Sequence, residues 1–210
     1  MSRVLVKICG ITSPGDARLA VEAGADALGF VFWPGSPRRV DPETARRIGA
    51  GLPPFVWRVG VFVDADQETL AATADAAGLD LLQLHGDEPP EAFAGLNRRA
   101  LKALRVGGGF SPEMARPYEG RAAGLLLDTQ EGGAPGGTGR SFDWSRARGL
   151  GERVGFLMLA GGLTPENVAD AIAVVRPHAV DVSSGVESAP GRKDPRRVRA
   201  FVEAVRRAEG

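Results

Sequence analysis

Short apolar runs alternate along the chain with longer amphipathic ones. The short runs are "VLVKIC" (4–9), "ALGFVF" (27–32), "WRVGVFV" (57–63), "LDLLQL" (79–84), "RALKALRV" (99–106), "AGLLLD" (123–128), "VGFLML" (154–159) and "HAVDVS" (178–183). Their length and aliphatic, β-branched content predict eight buried strands. Between them, "SPGDARLAVEAG", "DPETARRIGAG", "DQETLAATADAAG", "TPENVADAIAVV" and "DPRRVRAFVEAVRR" each begin with a capping residue and an early acid or proline. Each continues with apolar residues three and four apart, the pattern of a helix packed on one face. The stretch 107–121 reads as a loop and a poor helix. "VEAGADALGF" (21–30) echoes "DAAGLDLLQL" (75–84), a faint internal repeat of helix end, glycine, aspartate and strand.

Strands that alternate with helices imply parallel pairing through helical crossovers. Eight such units, averaging roughly 26 residues over the 210-residue chain, imply a single (β/α)₈ TIM-barrel domain over residues 1–210. An open doubly wound sheet is the rival arrangement. No composition shift marks a second domain.

Composition narrows the partners. The 26 basic and 26 acidic residues cancel, and the pI is near 6.8. No basic excess is left for nucleic acid. One cysteine cannot form an internal disulfide, which suits a reducing cytoplasm. The first apolar run is too short for a signal peptide, and no run reaches about 18 residues, so no membrane span is expected. No HxH, HExxH or acidic cluster occurs, so no metal site is expected. The expected partner is a small phosphorylated molecule, for a chain that is a monomer or homodimer.

Chemistry in a (β/α)₈ barrel gathers where strands end. Alternation along the first strand puts Leu5, Lys7 and Cys9 on one face and Val4, Val6 and Ile8 on the other. The aliphatic trio suits the helices, so Lys7 and Cys9 point into the barrel. An ammonium beside a thiol favours the thiolate and is expected to lower its pKa toward working pH, making Cys9 a base or nucleophile. A small buried thiol beside a snorkelling lysine reads the same residues without chemistry. Asp128 follows three leucines; an acid there is costly to bury without a task and suits proton donation, or it caps the next turn. "AGGLTPEN" (160–167) and "DVSSGVE" (181–187) follow the seventh and eighth strands, where this fold repeatedly binds phosphate. They contribute Gly161, Gly162, Asp181, Ser183, Ser184 and Gly185. In "SPRR" (36–39), one arginine suits a carboxylate clamp and the other a solvated loop. His85 in "QLHG" suits substrate positioning, and His178 a structural role. "RKDPRRVR" reads as a solvated helix start. "EGGAPGGTGR" (131–140), with Gly137 near a phosphate, reads as a glycine-rich lid that orders on ligand binding.

Taken in order, "KICGIT", "FVFWPGSPRRV", "VGVFVD", "LLQLHGDE", "LLDT", "GGTGRSFDW", "LAGGLTPENV" and "DVSSGVE" resemble the phosphoribosylanthranilate isomerases of tryptophan synthesis over about residues 4–205. The resemblance implies a (β/α)₈ barrel and a cofactor-free Amadori rearrangement. It implies Cys9 as general base, Asp128 as general acid, and Arg38 facing the anthranilate carboxylate. Lys7, His85, Gly137 and Asp181 would join the ligand-facing set, with phosphate on the backbone around Gly161, Gly162, Ser184 and Gly185. Three competitors remain. A sugar-phosphate epimerase on the same barrel normally needs metal ligands. A dual-substrate isomerase of histidine and tryptophan synthesis would carry an aspartate in place of Cys9. A non-catalytic phosphate-binding or redox-sensing barrel has no need for Asp128.

Overall fold

The computed structural model describes residues 3–129 and 143–209. Eight parallel strands close into one barrel in chain order: β1 (Leu5–Cys9), β2 (Ala27–Val31), β3 (Trp57–Phe62), β4 (Leu81–Leu84), β5 (Arg99–Val106), β6 (Gly124–Thr129), β7 (Leu157–Leu159) and β8 (Ala179–Val182). Closure comes from β1 pairing with β8, where Lys7 lies opposite Asp181. All eight apolar runs are therefore strands, and the open-sheet arrangement is excluded.

Alternation sorts each strand as expected. Val6, Ile8, Leu28, Phe30, Leu125 and Leu127 belong to the large apolar layer beneath the helices. Leu101, Leu126, Met158 and Ala179 fill the barrel interior. Cys9 sits higher in the interior, against Val31, Val61 and Trp33.

Five helices occupy the amphipathic segments. In α1 (Pro14–Ala23), Ser13 caps the start and Gly24, at φ 104°, ends the helix in a left-handed turn that a side chain would resist. In α2 (Pro42–Gly49) and α3 (Gln67–Ala77), Asp41 and Asp66 accept from the amides of Thr44 and Thr69. A single helical turn, α4 (Leu150–Arg153), precedes β7. The next segment begins later than its pattern suggested: α5 spans Val168–Val175. Residues before it are held in a turn by Asn167, which accepts from the Thr164 amide (2.8 Å) and donates to Gly162 O (2.9 Å). The last helix is α6 (Pro195–Ala208), capped by Asp194.

From β4 to β7 the wall thins. The crossovers carry short 3₁₀ turns at Pro90–Phe93, Pro112–Tyr118 and Trp144–Ala147 in place of long helices. The poor helix expected at 107–121 is the second of these. A buried ion pair fills some of the gap. Lys102, on the outer face of β5, reaches Glu88 Oε2 and Gly86 O, both at 2.7 Å. After β8, a small antiparallel ribbon, β9 (Glu187–Ala189) and β10 (Arg192–Lys193), folds beside the mouth of the barrel.

Candidate active site

The cleft at the C-terminal ends of the strands is lined by Cys9, Arg38, Gln83, His85, Asp128, Gly161, Gly162, Asp181, Ser183, Ser184 and Gly185, among others. Nearly all the expected site residues that the structure describes thus meet in one place. Gly137 and the expected lid at 131–140 lie outside the described residues.

Lys7 is the exception. It is 1% exposed and lies beneath Cys9, away from the cleft wall, with Nζ 2.9 Å from Asp181 Oδ2. Gly29, on the neighbouring strand, makes room for both side chains: a Cβ there would stand 2.6 Å from Cys9 Sγ and 3.1 Å from Lys7 Cε. The proximity is as expected, but its electrostatic outcome is reversed. Burial pushes the Cys9 thiol above its ordinary pKa; Lys7 and Lys193 oppose this, while the Asp181 carboxylate adds to it. Burial also disfavours the Lys7 ammonium, yet Asp181 and Cys9 together hold its pKa above the ordinary value. The lysine's charge is spent on Asp181, so it does not carry the thiol down to neutral pH.

Across the mouth, Asp128 is held from two sides. Its Oδ1 accepts from the Thr129 amide (2.8 Å), and its Oδ2 lies 3.0 Å from His85 Nε2. Gln83 Nε2 stands 2.8 Å from His85 Nδ1. His85 thus bridges Gln83 and Asp128 through its two ring nitrogens, which fixes the plane of the ring across the mouth. Gln83, two residues before His85 on the same inward face, escaped the sequence reading although strand alternation could have found it.

The β7 and β8 loops are shaped by close backbone approach. Gly161, at φ 84°, passes so near the end of β6 that a Cβ would meet Thr129 Oγ1 at 2.3 Å and Asp128 Oδ1 at 3.0 Å. A Cβ on Gly185 would run into Leu163 O. The amides of Gly161, Gly162 and Leu163 meet no described backbone acceptor. They leave a small patch of unclaimed donors on the rim, of the kind that suits an anion. Nearby acceptors are idle too: Gln83 Oε1, Asp181 Oδ1 and Ser183 Oγ are buried without a partner. Buried polar atoms are normally paired, so three orphans in one cleft point to a ligand with several hydroxyls or amines.

Arg38 lines the cleft but is not free. Its Nε and Nη2 engage both oxygens of Glu187 at 2.7–3.1 Å. Lys193 binds the same carboxylate at 2.8 Å. The basic run 192–199 is therefore not wholly solvated, because Lys193 is buried. Arg39 is exposed, the solvated member of its pair.

A family model described as N-(5'-phosphoribosyl)anthranilate (PRA) isomerase matches residues 6–204. The chain belongs to this family. Isomerases of that name from Pseudomonas fluorescens (strain Pf0-1) and Geobacter sulfurreducens are each 56% identical over 207 residues, covering 98–99% of this chain and 99–100% of theirs. The crystal structure of the Thermotoga maritima phosphoribosyl anthranilate isomerase superposes with a TM-score of 0.90 at 47% identity, covering 97% of this chain and 98% of that one. Another isomerase structure, in complex with reduced 1-(o-carboxyphenylamino)-1-deoxyribulose 5-phosphate, gives 0.87 at 46% identity with the same coverage.

Within this isomerase fold, His178 serves structure. Its Nδ1 accepts from the Leu157 amide (3.0 Å) and its ring stacks on Phe156. Among the described residues, no helix is long and apolar enough to cross a membrane.

Proposed function

We propose that this chain isomerises N-(5-phosphoribosyl)anthranilate to 1-(2-carboxyphenylamino)-1-deoxyribulose 5-phosphate, an Amadori rearrangement in tryptophan biosynthesis, with Asp128 as general acid and Cys9 as general base. The observation that carries the assignment of roles is that the Cys9 thiol and the Asp128 carboxyl face a single cleft from β1 and β6, beside a patch of unclaimed amides.

The chemistry needs two proton transfers. Asp128 gives a proton to the ribose ring oxygen as the C1′–O bond breaks and the anthranilate nitrogen forms an iminium at C1′. The Cys9 thiolate then takes the proton from C2′, and the electrons of that C–H bond neutralise the iminium. The resulting enaminol shifts a proton to C1′ and becomes the ketone. The electron sink lies within the substrate. A thiol of raised pKa is a scarce thiolate near neutrality but a strong base once formed, which suits abstraction from carbon. The orphaned Asp181 Oδ1 and Ser183 Oγ suit the sugar hydroxyls, and the amides of Gly161–Leu163 suit the phosphate.

Conversion is followed by the fall in substrate fluorescence on freshly generated phosphoribosylanthranilate. Cys9→Ala and Asp128→Asn should each lower kcat by at least about a hundredfold, the scale of a general acid or base, with smaller changes in KM. Near-wild-type kcat in either variant would sink the assignment.

We further propose a homodimer built on the opposite, N-terminal face. Phe55 is 91% exposed two residues before Trp57, and half-exposed Trp57 and Leu5 line a cavity of about 180 Å³ there. Such apolar exposure marks an association surface. Monomers generated from the dimeric Thermotoga maritima isomerase, 44% identical, share the fold at a TM-score of 0.87. Phe55→Glu should turn a dimer into a monomer in sedimentation; a wild-type monomer at micromolar concentration would end the proposal.

A further inference from the structure

Arg38, Glu187 and Lys193 form a buried cluster in which two cations share one carboxylate. Side-chain exposures are 14%, 4% and 0%. One cation would suffice to neutralise Glu187, so the cluster carries a surplus positive charge at the wall of the cleft. Such a charge is costly to bury unless an anion completes it.

The hydrogen-bond pattern shows where that anion belongs. Glu187 takes the Nε and Nη2 side of the guanidinium. The other edge, formed by Nη1 and the outer proton of Nη2, has no described partner. Its planar geometry matches a second carboxylate. The side chain cannot swing away easily. Gly10, at φ 75°, lies under it so closely that a Cβ would stand 2.6 Å from Arg38 Cδ. The Arg38 amide also donates to Ser36 Oγ at 3.1 Å. Glu187 is fixed in turn by Lys193 and by the Gly191 amide of the ribbon turn.

We infer that Glu187 is a positioning residue for substrate recognition: it grips one side of Arg38 so that the free edge meets the substrate's carboxylate, and Lys193 cancels the charge of Glu187 so that Arg38 keeps its own for the ligand. This rests on the reading that Arg38 faces the anthranilate carboxylate. It assigns work to two residues that do not line the cleft and stand 149 and 155 positions from Arg38 in the chain.

The test compares two inhibitors, reduced 1-(o-carboxyphenylamino)-1-deoxyribulose 5-phosphate and its counterpart lacking the carboxylate. Glu187→Gln/Lys193→Met removes the charge pair together and should raise KM, and Ki for the carboxylated inhibitor, about tenfold. Ki for the other inhibitor should stay within about threefold; kcat is not the readout, because Lys193 also opposes the rise of the Cys9 pKa. Lys193→Met alone leaves Glu187 to cancel Arg38 and should weaken the carboxylated inhibitor further. Equal weakening of both inhibitors, or none, would overturn the proposal. Arg38→Ala separates the two levels. If it weakens both inhibitors equally, the carboxylate reading itself fails. If its effect is specific to the carboxylated inhibitor while the double variant has none, only the positioning role fails. Should Glu187→Gln/Lys193→Met not fold, Glu187→Asp carries the test, with a smaller selective loss expected in the same inhibitor.

Discussion

Two buried lysines on opposite sides of the barrel have nearly the same partner distance and very different surroundings. Lys102 meets Glu88 at 2.7 Å and Lys7 meets Asp181 at 2.9 Å. Around Lys102 every polar group is answered. Glu88 Oε1 accepts from the amides of Asp64 and Gly86, Lys102 donates also to Gly86 O, and Tyr118 closes over the ammonium while donating to Glu88 O. Around Lys7 the account is left open. Asp181 keeps Oδ1 unpaired toward the cleft, and a titratable thiol shares the ammonium's field. A saturated buried pair is masonry; an unsaturated one is poised for a ligand. Lys102 fixes the β4 loop that presents His85, on the side of the barrel where long helices are missing. Lys7 holds Asp181 and tunes Cys9.

The sharpest break between the two pairs should appear in stability. Lys102→Met leaves Glu88 buried without its cation and should cost about 3–5 kcal/mol in urea unfolding, the scale for breaking one side of a buried pair. Its kcat/KM, measured on the folded fraction, should stay within about threefold of wild type. A large loss of activity without loss of stability would reverse the contrast.

Asp181→Asn comes next. The amide can still offer oxygen to Lys7, but it no longer presents a charged acceptor to the cleft. Hydrogen bonds to charged groups contribute about 1.5–3 kcal/mol, so kcat/KM should fall by roughly tenfold to a hundredfold. If Asp181→Asn and Lys102→Met lose the same small fraction of activity, Asp181 is masonry as well.

The two pairs were also unequally legible in the sequence. Lys7 and Cys9 declared themselves by strand alternation, because a lysine on the inward face of a short strand has few uses. Asp128 and His85 stood out by their place at the ends of apolar runs, and the capped helices α1, α2, α3 and α6 followed from local caps. Lys102 sat in a strand with nothing nearby to name its partner. Glu187 and Lys193 were hidden more deeply. Lys193 lies in a basic run that looks solvated, and its meaning comes from Arg38, which no local pattern connects to it. The direction of the Cys9 shift was misjudged for a related reason. Alternation showed the lysine but not the carboxylate opposite it, nor the depth of burial.

That shift gives a pH dependence. Only the thiolate of Cys9 can act as base, and its pKa is raised by burial. Alkylation of Cys9 by iodoacetamide should therefore climb with pH through neutrality, by about tenfold per unit where the thiolate is the minor form. Lys7→Met should displace that curve toward higher pH, since Lys7 opposes the shift. A profile already flat at pH 7 would mean that the thiolate is the resting form.

The smallest effect concerns stability at alkaline pH. A thiol whose folded pKa lies above its unfolded value, about 8.5, holds its proton longer in the native state. Between those two values the native state binds more protons than the unfolded chain, so stability falls as pH rises. Lys7, also raised in the fold, acts in the same direction: its contribution is complete below its unfolded pKa and is lost as pH climbs through the folded one. Serine in place of Cys9 does not titrate in this range and removes the thiol's share. Wild type should therefore lose stability faster than Cys9→Ser between pH 8.5 and 9.5, by up to about 1 kcal/mol over that unit. Urea unfolding at each pH reads the difference directly. Parallel curves would show that the native thiol loses its proton as readily as the unfolded one, and the nearby ammonium groups would then offset its burial in full.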